Sequence, residues 1–167
     1  MRILATDVHY TEPGAVAAGV LFDDWCAAAP LRTVTSRLDT VEAYAPGAFY
    51  RRELPCLLGL LREHALHPDV IVVDGHVFLD DAGRAGLGKH LFDALDGRVP
   101  VIGVAKTAFA GMDARFAVLR GDSRRPLYVT AAGLPLAQAQ AHVRAMHGAH
   151  RVPTLLKAVD RLCRHPG

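Results

Sequence analysis

Three acidic residues stand at positions where folding could bring them together. Asp74 ends the apolar run 70–73 and is followed directly by Gly75 and His76. A run of β-branched residues this apolar predicts a strand buried on both faces, so its last residue lies where the sheet ends and a cleft begins. Open α/β sheets place their chemistry at that edge. Asp7 holds a matching place near the end of the strand that opens the chain.

Glu53 is the third acid, and its position in a predicted helix needs a reason. On helical spacing it shares one stripe with Phe49, Leu57, Leu60 and Leu61. Such an apolar stripe is the face that packs on a sheet, so the carboxyl of Glu53 is expected to point toward the strands.

Carboxylates brought together in a partly dry site repel one another, and an unpaired buried charge costs several kcal/mol. Either an Arg or Lys neutralises them, or one or more is protonated, or a divalent cation lies between them. Oxygen ligands favour the hard ions Mg²⁺ or Mn²⁺ over zinc. A structural alternative stays open, in which Asp7 and Asp74 only cap turns and Glu53 caps a helix start before Pro55.

Composition limits the classes of function. The 167 residues, 51% of them hydrophobic, predict one domain over 1–167 with a sizeable core. No apolar stretch of the ~18 residues that a membrane helix needs occurs, and no signal peptide is recognisable, so a cytoplasmic protein without membrane contact is expected. Cys26, Cys56 and Cys163 are widely spaced without a CxxC pair, which argues against disulfides and cysteine zinc sites.

Charge alone does not establish a nucleic-acid partner, because the net charge is only +2. The basic residues of one stretch are Arg115, Arg120, Arg124 and Arg125. Such a stretch is either a nucleic-acid contact or an ordinary solvated surface.

The order of elements predicts an α/β fold with a mixed sheet. Strands are expected at about Ile3–Val8, Ala15–Phe22, Leu31–Arg37, 70–74 and Val99–Ala105, with a hairpin in 115–130. Helices are expected at about 49–66, 86–95, Leu136–Met146 and Thr154–Arg164. Short breaks join the first three strands in an antiparallel meander, and a right-handed crossover then puts the fourth strand parallel to the first. Asp7 and Asp74 would become neighbours.

Several motifs in this order resemble the endonuclease V family, within the ribonuclease H-like superfold of three antiparallel strands followed by parallel strands, flanked by helices. The residues that carry the resemblance are Asp7, Tyr44-Ala45-Pro46-Gly47, Arg52-Glu53-Leu54-Pro55, Pro68-Asp69-Val70, Asp74-Gly75, Gly86, His90, Ile102-Gly103-Val104-Ala105-Lys106 and Arg151-Val152-Pro153. Each motif alone is weakly specific, but the matches span nearly the whole chain in the right order.

The resemblance implies a Mg²⁺-dependent endonuclease, with Mn²⁺ as a substitute, that cuts inosine-containing DNA or RNA on the 3′ side of the deaminated base. It implies catalytic roles for Asp7, Glu53, Asp74 and Lys106, with the three acids as metal ligands. Asp160 aligns with a histidine of the family and could serve as a fourth metal ligand. Residues implied to contact substrate are Tyr44, as a strand-wedging aromatic, Pro46, Gly47, Gly75, His76, Arg84 and Lys106.

Departures from the family pattern put the choice of substrate in question. The segment 79–84 replaces a His-Pro-Arg element, so Arg84 alone remains as a phosphate contact, and Ala43 replaces a proline before Tyr44. His76 is either a proton shuttle or a histidine bonded to backbone.

Other functions remain open beside a monomeric endonuclease. A protein of the same fold could bind nucleic acid without cutting it, or cut a different structure. A small-molecule enzyme using Asp74 and Lys106 is a third class, although the sequence has no glycine-rich phosphate loop.

Overall fold

The computed structural model describes residues 1–43 and 50–167. Tyr44, Pro46 and Gly47, which were predicted to contact substrate, lie outside the described residues, as does Phe49 of the predicted helical stripe.

The described residues form an α/β fold around a seven-stranded mixed sheet. The strands are β1 (Ile3–Tyr10), β2 (Ala15–Phe22), β3 (Arg32–Leu38), β4 (Val70–Asp74), β5 (Val101–Ala105), β6 (Ala117–Val118) and β7 (Leu127–Ala132). The α-helices are α1 (Tyr50–Glu63), α2 (Leu87–Ala94), α3 (Leu136–Ala145) and α4 (Thr154–Arg164). A short 3₁₀ turn, Ala114–Phe116, precedes β6.

The sheet has the order β3-β2-β1-β4-β5-β7-β6. Strands β1, β2 and β3 form the antiparallel meander, while β4 runs parallel to β1 and β5 parallel to β4. The predicted placement of the fourth strand beside the first is therefore confirmed. Strand β7 then runs antiparallel to β5 and pairs with the short β6, so the hairpin of 115–130 extends the sheet at this edge.

Element boundaries differ from the sequence expectations by a few residues, for local reasons. Helix α1 ends at Glu63, and Ala65 adopts a left-handed backbone with a φ of 50°, which cannot continue a helix. Strand β5 begins at Val101 because Pro100 has no N–H to donate to the ladder.

Two apolar layers cover the faces of the sheet. Successive residues of β1 alternate between them, so that Ile3 and Ala5 join one core and Leu4 joins the other. Helices α3 and α4 pack on the first face, and α1 and α2 pack on the second. The centre of the sheet is thus dry on both sides, and chemistry is confined to the strand ends.

Candidate active site

The parallel pairing of β1 and β4 brings two carboxyl groups side by side. Thr6 of β1 pairs with Val73 of β4, so the next residues along the two strands are Asp7 and Asp74. Asp7 is 7% exposed, and its Oδ1 accepts a hydrogen bond from the N–H of Val8 at 2.8 Å. The sequence predicted that Asp7 and Asp74 are neighbours because each lies at the end of a strand, and the register of β1 and β4 confirms this prediction.

Helix α1 presents Glu53 to the same strand ends. Leu57 and Leu60, on the same stripe of the helix, are buried against the sheet, and Glu53 is 4% exposed. Its Oε2 is buried without a hydrogen-bond partner among the described residues. Glu53 does lie in the first described turn of α1, but its Oε2 accepts no backbone N–H, so that oxygen makes no capping contact among the described residues.

Helix α4 closes the cluster from the opposite face of the sheet. One carboxylate oxygen each of Asp7 and Asp160 and the Sγ of Cys163 lie within 4.8 Å of one another. Asp160 also accepts a hydrogen bond from the Nε of Arg164 at 3.0 Å. The sequence suggested Asp160 only through its alignment with a family histidine, and it did not suggest Cys163.

The pKa values show how the acids repel one another. Burial, followed by the charge of Asp74, raises the pKa of Asp7 to about 7. Burial, followed by the charge of Asp7, raises the pKa of Glu53 to about 8. Burial also raises the pKa of Asp74, although the ammonium group of Lys106 opposes this. Burial also acts to raise the pKa of Asp160. Hydrogen bonds from Arg164 and Asp7 outweigh this effect, so the pKa of Asp160 is lowered.

These acids fit a hard divalent cation. Within the described ranges 1–43 and 50–167, neither Asp7 nor Glu53 forms an ion pair with an Arg or Lys. Their oxygens are the ligand type that Mg²⁺ and Mn²⁺ prefer, and the unpartnered Oε2 of Glu53 is an oxygen that a cation would satisfy. Without a cation, the cluster holds protons instead.

Lys106 follows the last residue of β5 and faces the same cleft. A cavity of about 170 Å³ is lined by Asp7, Asp74, Lys106, Lys157 and Asp160 together with apolar side chains. Arg151 fixes the backbone of Lys106, because its Nη2 donates a hydrogen bond to the carbonyl of Lys106 at 2.5 Å. Arg151 belongs to a motif that the sequence singled out without a role.

A second cavity, of about 300 Å³, opens on the other side of Asp74. Its lining residues are Tyr50, Asp74, Gly75, His76, Leu79, Gly86 and Leu87. Gly75 has a φ of 143°, a backbone conformation that favours glycine. The carbonyl oxygen of Gly75 packs closely against Gly103 of β5, because a Cβ on Gly103 would lie only 2.6 Å from that oxygen. Gly75 and His76 therefore lie next to the acids, as their assignment requires.

His76, His90 and Arg84 each contact a residue outside the acid cluster. His76 Nε2 is 2.9 Å from the carbonyl of Thr107, which fits the histidine bonded to backbone. His90 stacks on Tyr50 with ring centroids 3.6 Å apart, a packing contact. Arg84 lies in the exposed loop that begins after β4 and does not line either of the two cavities.

Comparison with known proteins shows the family to which the chain belongs. A family model described as endonuclease V matches residues 1–134. An endonuclease V of Xanthomonas campestris pv. campestris is 32% identical over 184 residues, covering 96% of this chain and 76% of that protein. The chain belongs to the endonuclease V family. As a member, it is an endonuclease, a hydrolase of the nucleic-acid backbone.

Solved structures share the fold of this endonuclease V. The endonuclease V of Streptomyces avermitilis has 29% sequence identity and a TM-score of 0.78, with 99% of this chain and 81% of that chain covered. An endonuclease V of Ciona intestinalis, in complex with a 24mer DNA containing an inosine followed by a ribo-adenosine, has a TM-score of 0.81 at 20% identity. That likeness covers 99% of this chain and 85% of that chain, and it concerns the fold.

The four described α-helices are all too short or too polar to cross a membrane.

Proposed function

We propose that this endonuclease V uses a Mg²⁺ centre to hydrolyse the phosphodiester on the 3′ side of a deaminated base, inosine or deoxyinosine, in DNA or RNA. The observation that carries the proposal is the convergence of Asp7, Glu53 and Asp74 from β1, α1 and β4. The Ciona intestinalis relative, crystallised with inosine-containing DNA, supports the choice of substrate.

The acidic side chains would hold the metal. Asp7, Glu53, Asp74 and Asp160 would supply the ligand oxygens, and Mn²⁺ would fit the same donors. A bound divalent ion polarises the scissile phosphate and makes an attacking water more acidic. Lys106, on the rim of the same cavity, would place its ammonium group against a non-bridging phosphate oxygen and offset the charge that builds up there.

The cavity beside Asp74 would receive the extruded base. An enzyme that reads a base inside a strand takes that base out of the stack into a pocket. Here the pocket of Gly75, His76, Leu79, Gly86 and Leu87 begins one residue beyond the acid cluster. The flanking strand would be contacted by the residues predicted from the sequence, Tyr44, Pro46, Gly47 and Arg84. We also propose that the enzyme is monomeric and cytoplasmic.

One substitution tests the proposal. The purified protein, with Mg²⁺ or Mn²⁺, should nick labelled DNA or RNA oligonucleotides that carry one inosine and should spare oligonucleotides with guanosine in its place. Asp7→Asn should abolish nicking while binding of the inosine strand persists, because the fold and the pocket are unchanged. Asp122→Asn, in an exposed loop, is the matched control and should cut normally.

Three results would contradict the proposal. Equal cutting of guanosine strands would point to a nuclease that reads another structure. Binding without cutting, under either metal, would point to a nucleic-acid-binding protein. Full activity in Asp7→Asn would remove the acid cluster from the mechanism.

A further inference from the structure

The acid cluster contains a thiol that the Mg²⁺ centre does not use. Cys163 is 1% exposed and follows Asp160 by about one turn of α4. Its Sγ, one oxygen of Asp7 and one oxygen of Asp160 lie within 4.8 Å of one another. The other two cysteines are not within reach of Asp7 and Asp160 in this way: Cys26 is exposed, and Cys56 is buried in α1 on the opposite face of the sheet, where it interacts electrostatically with Glu53.

The spacing of these three donors suits a single small ion. Zinc ligands lie about 2.0–2.3 Å from the metal, so two of them are at most ~4.6 Å apart. A separation within 4.8 Å therefore requires little or no movement. The Sγ now donates a hydrogen bond to the carbonyl of Asp160 at 3.1 Å, a weak contact that coordination would replace.

One sulfur among oxygens changes which ions the site prefers. Mg²⁺ takes oxygen ligands and gains nothing from a thiolate, whereas Zn²⁺ and Cd²⁺ bind thiolate sulfur strongly. The surroundings also favour a cation of either kind. Glu53 carries a buried Oε2 without a described partner and interacts electrostatically with Asp7, and Arg164 is the one cation paired with Asp160 among the described residues.

We propose that Cys163, Asp7 and Asp160 form a binding site for a thiophilic divalent cation, Zn²⁺ or Cd²⁺, that overlaps the Mg²⁺ centre and excludes Mg²⁺ when it is filled. The thiol proton passes to solvent as the metal–sulfur bond forms. The inference rests on the proposed function only where that function assigns Asp7 and Asp160 to a metal. It differs from the prediction made from the sequence, which argued against cysteine zinc sites.

Titration of the full chain with cadmium measures binding at this site directly, and it requires no nucleic acid. Formation of a cadmium–thiolate bond produces an ultraviolet charge-transfer band. Because Cys26 is exposed and could bind cadmium by itself, the reference protein is Cys26→Ser. It should show a saturable band that weakens on addition of Mg²⁺, and the double variant Cys26→Ser, Cys163→Ser should lose the band.

A second variant keeps the thiol and removes one oxygen ligand. In the Cys26→Ser background, Asp160→Asn should weaken cadmium binding by at least about tenfold, because loss of a group that only supports a ligand already costs about 10–100-fold in metal affinity. Circular dichroism and thermal melting check that each variant is folded. If Cys163→Ser fails to fold, the Asp160→Asn comparison decides the question alone.

The outcomes separate this inference from the nuclease assignment. A band that survives in the double variant, or that is absent from Cys26→Ser, overturns the site. A band unchanged by Asp160→Asn, or unaffected by Mg²⁺, means that the thiol acts without the carboxylates and also overturns it. A protein that binds cadmium as described but does not cut inosine strands would contradict only the proposed function.

Discussion

Glu53 shows most clearly how the acid cluster lowers the free energy of unfolding when no cation is bound. Its side chain is buried, one oxygen has no described partner, and its pKa is raised to about 8 by burial and by the charge of Asp7. A buried polar atom without a partner destabilises a protein, so this arrangement is retained for function rather than for stability.

The raised pKa values predict that the metal-free protein loses stability as the pH rises. In the unfolded chain, Glu53 and Asp7 ionise near their ordinary values of 4.5 and 3.8, whereas in the folded protein they keep their protons to about pH 8 and 7. Across that window the folded state binds more protons than the unfolded state, so the free energy of unfolding falls with rising pH. Thermal melting in a chelator should show this fall.

Glu53→Gln provides the comparison for that measurement. The amide cannot ionise, so the melting temperature of the variant should fall less between pH 5 and pH 8 than that of the natural chain. Added Mg²⁺ should stabilise the natural chain more at pH 8, where the ligands are free of protons. Parallel pH curves for the two proteins would rule out Glu53 as the source.

The sequence was sufficient for some residues of the site and not for others. Asp7 and Asp74 could be predicted because each ends an apolar strand, and parallel neighbours share an edge. Asp160 came only from the family resemblance, since an acid beside an apolar helical stripe is usually solvated. Cys163 gave no signal, because a cysteine on the buried face of a helix has the pattern of a core residue.

At the scale of elements, two arginines fix the segment between α3 and α4: Arg120 joins it to the β6–β7 hairpin, and Arg151 joins it to the end of β5. The guanidinium of Arg120 donates to the carbonyls of Met146, Gly148 and His150 at 2.5, 3.1 and 2.6 Å. Arg151 donates to the carbonyls of Lys106, Arg125 and Pro126. This second arginine thereby ties the backbone of Lys106 to the hairpin of β6 and β7.

Arg151→Met should therefore impair catalysis through the position of Lys106. We expect kcat to fall about 10–100-fold, the range seen when a supporting contact is lost, with a smaller change in KM. Arg151→Lys should not restore activity, because an ammonium group cannot span three carbonyls as the planar guanidinium does. Steady-state kinetics on an inosine oligonucleotide measures both effects.

Arg124→Met is the matched control, since Arg124 is exposed in the same hairpin. A purely structural role for Arg151 would lower the melting temperature and leave kcat unchanged below it. That result would contradict a positioning role.

The elements themselves were largely predictable, whereas only part of their arrangement was, namely the antiparallel meander and the placement of β4 beside β1. Runs such as 70–73 and 15–22 are apolar over a strand length, which is sufficient to assign a strand. The antiparallel return of β7 beside β5 depends on a hairpin whose first strand has two residues, too short for a periodic signal. The arginine contacts depend on loop geometry, which hydrophobic periodicity does not specify.

At the scale of the whole molecule, the described surface offers no large apolar patch. Its large exposed hydrophobic residues are Met1, Leu31 and Leu119. Leu31 adjoins β3 and Leu119 adjoins β6, and these strands form the two opposite edges of the sheet. The prediction of a monomer, made from the sequence, is compatible with the separate positions of these residues, since stable self-association usually needs a contiguous apolar surface.

Size-exclusion chromatography with light scattering checks this expectation. The protein should elute as a single species of 18.0 kDa, with no change over a range of concentrations. A stable dimer would contradict it and would point to an edge strand of the sheet as the interface.

The contribution of α4 to the cluster also has a consequence during synthesis of the protein. The ribosome releases the strands that carry Asp7 and Asp74 well before it releases Asp160. A nascent chain can therefore assemble most of its sheet before the fourth carboxylate arrives to add its repulsion. Until translation has passed α4, the growing polypeptide therefore lacks the fourth carboxylate of the proposed metal site.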